Sequence, residues 1–235
     1  MIPLVSISHL VALIFFALIT FRLYFSFQKT KEKNIKYFFI FFLIFTIMEG
    51  LLASPGLVFK DLMKIDAVFA LYPMFMLLGL GFLGAIPFSI MKMKKSETFF
   101  LLSMLLINIF ITMINLSNIQ PAIVRPDSPF IYWEDTRGAP MNIFLGIVPG
   151  IILCFAVLFF FINGLKSSEK YVKTRSFLIA GGLAATFSAA IINFVLGAVL
   201  RQHITSLIST FLLIASGIFI FIGVLYKKEG QQNKI

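Results

Sequence analysis

Residues 37–59 read YFFIFFLIFTIMEGLLASPGLVF, and Glu49 is the only charged side chain among them. A run of this length exceeds the roughly 20 apolar residues with which a helix crosses a ~30 Å hydrocarbon core. Six similar runs lie at about 3–27, 65–91, 98–117, 142–162, 177–200 and 206–226. The predicted fold class is therefore all-α: one seven-helix transmembrane bundle, forming a single domain over residues 1–235.

Composition agrees. The chain is 60% hydrophobic and holds 30 Phe, well above the roughly 45–50% apolar content of a soluble domain. Such side chains lose nothing by facing lipid. Little is left to bury a separate soluble core. The single cysteine, Cys154, lies in an apolar run and is expected to be a small core residue.

The net charge of +10 is a topology signal once its residues are located. Fifteen of the 20 basic residues fall on one side of the predicted spans: Arg22, the lysines of 29–36, those of 92–95, the basic residues of 166–175 and the tail lysines. Only Lys60, Lys64, Arg125, Arg137 and Arg201 fall on the other. The positive-inside rule then predicts an outside N-terminus and a cytoplasmic C-terminus. The basic segments are short and scattered, which argues for anionic lipid headgroups and against nucleic acid as their partner. Met1 to Val5 lacks a basic n-region, so the first run is expected to stay as a helix, with a prokaryotic plasma or inner membrane as the default location.

Most connections are short, so sequential helices should pack as antiparallel neighbours. The exception is the predicted outer loop 118–141, with Pro121, Pro126, Pro129 and Pro140, the aromatics Phe130, Tyr132 and Trp133, and charges including Glu134 and Asp135. A loop this long points to a lid or ligand contact, or to an aromatic anchor lying on the headgroups. In the sixth run Gly181, Ala185 and Ala189 stand four residues apart, with Asn193 continuing the series. Such small residues allow close helix packing, which predicts a central sixth helix or, as the competing reading, a homo-oligomer contact.

Ionisable groups at membrane depth are functional candidates by default. Glu49 leads them, because it stands midway along its predicted span and Gly50, Pro55 and Gly56 weaken the helix after it. A carboxyl there would carry a proton, bind a cation or meet a ligand; its structural alternatives are hydrogen bonds to Asn108, Asn115 or Asn193. Pro73, Pro87 and Pro149 predict kinks in the third and fifth helices. His9 and His203 are placed near the outer face, with Lys64 and Asp66 marking the boundary. No metal cluster, cofactor motif or catalytic triad can be assembled, and the seventh run has no lysine for a retinal Schiff base. The expectation is a non-enzyme without cofactor.

Three features of the second half occur together: a Trp-containing outer loop (Phe130-Ile131-Tyr132-Trp133), a basic loop from Lys166 to Arg175, and the Gly-rich opening of the sixth helix, Phe177-Leu178-Ile179-Ala180-Gly181-Gly182. In these the chain resembles the seven-helix sensor region preceding the output domain of some bacterial and archaeal histidine kinases and diguanylate cyclases. The resemblance implies a sensor-like or receptor-like module. The expected ligand is small or lipid-like and met between the outer helix ends and the 118–141 loop, with Glu49, Tyr132, Trp133, Glu134 and Asp135 as the candidate contacts. In that family the last helix continues into an output domain. Here the sequence ends at Ile235, so the signal is expected to leave through a cytoplasmic or membrane partner. The second expectation is a proton- or cation-coupled transporter using Glu49, and the third is a lipid-acting membrane enzyme.

Overall fold

The computed structural model describes residues 2–127, 129–134, 139–196 and 202–226. Helices α1 (Leu4–Thr30), α2 (Lys33–Ala53), α3 (Leu62–Ile90) and α4 (Lys94–Ser117) come first, then strands β1 (Ile123–Asp127) and β2 (Phe130–Glu134). Helices α5 (Ala139–Lys166), α6 (Lys170–Ile191) and α7 (Gln202–Leu225) complete the chain, and a π-helical turn, Ile192–Leu196, extends α6. Helices suit such apolar runs because they satisfy their own backbone hydrogen bonds where no water is available. Seven of the described helices are long and apolar enough to cross a membrane.

Local chemistry sets the boundaries. Lys31 takes a left-handed conformation (φ 56°) and closes α1 through its N–H to the Phe27 carbonyl. Asp61 opens α3 by accepting from the Met63 N–H at 2.9 Å. Helix α2 ends at Ala53, six residues before the predicted limit. Ser54 to Phe59 form a tight turn instead, closed by Gly56 N–H to Phe59 O (2.8 Å) and Val58 N–H to Ser54 O (2.8 Å).

Sequential helices are neighbours, except that α4 and α5 are not principal partners; α3 packs on α5 and α1 on α7. Helices α1, α2, α3, α5, α6 and α7 thus close a ring, with α4 laid against α3 from outside. The central helix is α3, not α6 as the small-residue pattern suggested: 61% of its membrane window is buried, against 39% for α6. Phe38, Phe42, Leu80, Leu83, Ile86, Leu153 and Leu183 fill the middle of the ring. The outside is as apolar as the inside, with Phe99, Leu106, Phe110 and Met113 of α4 exposed. Water would penalise that surface and lipid does not, so the chain is a multi-pass membrane protein.

The predicted outer loop contains an antiparallel hairpin, pairing Val124 with Trp133 and Arg125 with Tyr132. Ile2 ties it to the start of α1: the Ile2 N–H donates to Pro129 O, and the Ile131 N–H to Ile2 O, both at 3.0 Å.

The close packing of α6 runs one residue away from the predicted stripe. Gly181 is exposed, and a Cβ added there would meet nothing within 4 Å. A Cβ on Gly182 would stand 2.6 Å from Ile220 Cγ1 and 2.9 Å from the Ser216 carbonyl. Ala189 is buried and Ala185 half-buried, so only the former belongs to the contact face. Small residues at both 181 and 182 made the register ambiguous. Cys154, expected in the core, is exposed on α5.

Candidate functional site

The hairpin end of the ring holds a cavity of about 130 Å³. Each wall follows from helical periodicity, since residues three or four apart share a face. Helix α1 supplies Val5, Ser6 and His9; α2 supplies Met48, Glu49 and Leu52; α3 supplies Phe69, Tyr72 and Pro73. Helix α7 gives Ser206, Ser209 and Leu213, and the π turn after α6 gives Asn193 and Phe194. Trp133 of the hairpin completes the lining.

At the centre, His9 Nδ1 lies 2.7 Å from Glu49 Oε2. Glu49 is fully buried, and the His9 side chain is only 12% exposed. The partner is therefore a histidine forty residues earlier in the chain, and not one of the three asparagines considered from sequence. Asn108 and Asn115 are buried on α4, and both polar atoms of the Asn115 side chain lack a partner among the described residues. Because α2 stops at Ala53, Glu49 lies four residues from its end, about 6 Å along the axis. It is near the hairpin end of the bundle and not at mid-depth as expected. The other carboxylate oxygen, Oε1, is buried without a hydrogen-bond partner among the described residues. An acceptor left in that state costs about 1–3 kcal/mol.

The turn after α2 fits the cavity roof. Ser6 Oγ donates to Pro55 O at 2.6 Å, joining α1 to the turn. Gly56 has φ 73°, and a Cβ there would collide with the Trp133 ring. Only glycine satisfies both the backbone and the indole. On the far wall the π turn re-aims the chain. Phe194 stacks on Tyr72 with centroids 6.0 Å apart and planes at 21°, and Gly146 makes room for its ring. Such π turns recur at functional sites.

A second, apolar cavity of about 40 Å³ shares Met48, Tyr72, Asn193 and Phe194 with the first and continues to Phe45, Met76, Leu80 and Leu153. One turn further from the hairpin, Phe42, Leu83 and Leu183 are 0–1% exposed and close the ring. The composite space is polar and aromatic at its mouth and apolar at its depth.

Of the residues proposed from sequence, Glu49 and Trp133 meet in this cavity, and Asn193 lines it instead of packing helices. Tyr132 precedes Trp133 on β2 and so points to the opposite face of the strand. The side chain of Glu134 and all of Asp135 fall outside the described residues, as does the side chain of His203. Among the described residues no group of three or more His, Cys, Asp or Glu could hold a metal. Sequence reading placed His9 near the outer face but did not pair it with Glu49, and it missed Tyr72, Phe194 and Ser209. For that pairing a signal existed, because ionisable groups in neighbouring apolar runs commonly pair with each other.

Two further buried carboxylates lie elsewhere. Asp66, expected at the membrane boundary, is 1% exposed, and its Oδ2 accepts from the Gln120 N–H at 3.1 Å. At the opposite end of the bundle Glu97 is 3% exposed. It accepts from the Tyr37 hydroxyl and pairs with Lys33 Nζ at 2.6 Å, linking α2 to α4.

No protein-family model matches this chain, and comparison with curated proteins finds no match. Fold and site together define a multi-pass membrane protein with an amphipathic cavity at one end of its helix ring.

Proposed function

We propose that this protein is a receptor-like or sensor-like membrane module that takes a small or lipid-like ligand from the outer side and signals through a partner. The observation that carries the proposal is the convergence of Glu49, His9 and Trp133 on one cavity, polar at its mouth and apolar at its depth. That profile matches an amphiphile, and small-molecule sites are of this kind: mainly apolar, with a few placed polar groups. The resemblance to seven-helix sensor regions supports the same reading. A ligand seated there would touch α1, α2, α3, α7 and the π turn at once, and the tight Gly182–Ile220 packing would carry a shift of α6 along α7.

The alternative is proton- or cation-coupled transport through Glu49, which its complete burial and histidine partner favour. Against it stands the apolar layer of Phe42, Leu83 and Leu183 beyond the cavity. The deciding experiment measures proton and cation flux in liposomes containing wild-type protein or Glu49→Gln. Equal, background flux in both is the expected result. Flux that the substitution abolishes would establish transport and overturn the receptor reading.

A further inference from the structure

The inference concerns the ligand's chemical class, and it rests on the cavity reading above. A proton must occupy the 2.7 Å contact between His9 Nδ1 and Glu49 Oε2, carried by one atom or the other. With the carboxyl's only available proton held in that contact, Glu49 Oε1 keeps its lone pairs and is an acceptor. It is also the buried cavity-lining oxygen that has no hydrogen-bond partner among the described residues. None of the cavity's hydroxyls reaches it: Ser6 Oγ donates to Pro55 O, the Tyr72 hydroxyl to Met76 Sδ and Ser209 Oγ to Ser206 O, and Ser206 makes no bond to it. The cavity thus presents an unmet acceptor at its polar end. The mouth and its apolar extension together offer little more than the ~150 Å³ that takes one benzene-sized molecule, which suits a chain of about four carbons behind a small head.

We infer that the cavity takes a short single-chain amphiphile whose head donates a hydrogen bond to Glu49 Oε1, a primary ammonium or a hydroxyl, and whose alkyl tail of about four carbons points between α3, α5 and α6. A head that offers only acceptors, such as a carboxylate, would leave Oε1 unmet and add a second unmet oxygen. Sites built around one hydrogen bond discriminate strongly against an analogue unable to make it.

Trp133 is the only tryptophan in the chain and lines the cavity, so its emission reports occupancy directly. The test titrates wild-type protein in lipid nanodiscs with butylamine, 1-butanol, butyltrimethylammonium and butanoate. Butylamine and 1-butanol should shift Trp133 emission saturably. Butyltrimethylammonium, cationic but without a donor, and butanoate should bind at least about tenfold more weakly, the factor set by one lost hydrogen bond. A stronger response to butylamine than to 1-butanol identifies an ammonium site, and the reverse a hydroxyl site; both support the inference. Equal binding of butanoate or of butyltrimethylammonium would overturn the head-group assignment and leave the cavity reading standing. No saturable response to any of the four would overturn the cavity reading itself. Every arm uses the unmodified protein, so a misfolded variant cannot obscure the answer.

Discussion

His9 Nδ1 and Glu49 Oε2 approach to 2.7 Å where the first turns of α1 meet the last turn of α2, and the carboxyl has no exposed surface at all. Neither group has a comparable partner in its own helix. The contact therefore fixes the register between α1 and α2 at the mouth of the cavity.

His9→Ala should lower thermal stability in detergent by about 1–2 kcal/mol, because it strands both oxygens of a buried carboxyl. Glu49→Gln should cost less, since an amide can still reach the imidazole. The double substitution should fall short of the sum of the two by about 1 kcal/mol, the coupling of residues in contact. Strict additivity in the melting series would show that the two side chains do not interact.

Gly182→Ala and Gly181→Ala form a matched pair one residue apart. At 182 the new methyl meets Ile220 and the Ser216 carbonyl, at 181 open space. Overpacking of this kind costs about 1–3 kcal/mol, whereas an unobstructed helical Gly→Ala gains about 0.5–1 kcal/mol. The two melting temperatures should therefore move in opposite directions. A larger loss at 181 would place the contact face where the sequence first suggested it.

Gly56→Ala should release Trp133. The left-handed backbone costs an alanine about 1–2 kcal/mol, and its methyl occupies the space of the indole. A red-shifted Trp133 emission and faster quenching by acrylamide are expected. Unchanged emission would mean that the indole does not rest on this turn.

At the opposite end, Tyr37→Phe should cost more than Lys33→Met. Tyr37 is 7% exposed and donates to the buried Glu97 carboxylate, so its loss is worth about 1 kcal/mol. The Lys33 side chain is 52% exposed, which screens its pairing to about 0.5 kcal/mol or less. Thermal unfolding of the two variants in one detergent checks the order.

The seven spans were legible because hydropathy over 20 residues is a long signal that no tertiary contact overrides. Glu49 was legible for the same reason, as the one charge in its run. Its histidine was not, because pairing across forty residues depends on how α1 and α2 align. The end of α2 was misjudged where Leu51 to Phe59 stay apolar through a turn; Ser54-Pro55-Gly56 marked that turn, yet composition outweighed it. The hairpin escaped because two five-residue strands, one containing Pro126, carry little periodicity. The cavity could not be read at all, since six separate segments build it.

The early end of α2 also changes what a membrane voltage can do here. Moving one charge across the whole bilayer at 100 mV involves about 2.3 kcal/mol of electrical work. Glu49 lies about 6 Å from the end of its helix, roughly a fifth of a ~30 Å slab. A proton or cation passing between this carboxyl and the near aqueous phase would therefore feel only about 0.5 kcal/mol of that work at the same voltage. Occupancy of the cavity should follow the composition of the adjoining compartment and be nearly indifferent to the potential across the membrane.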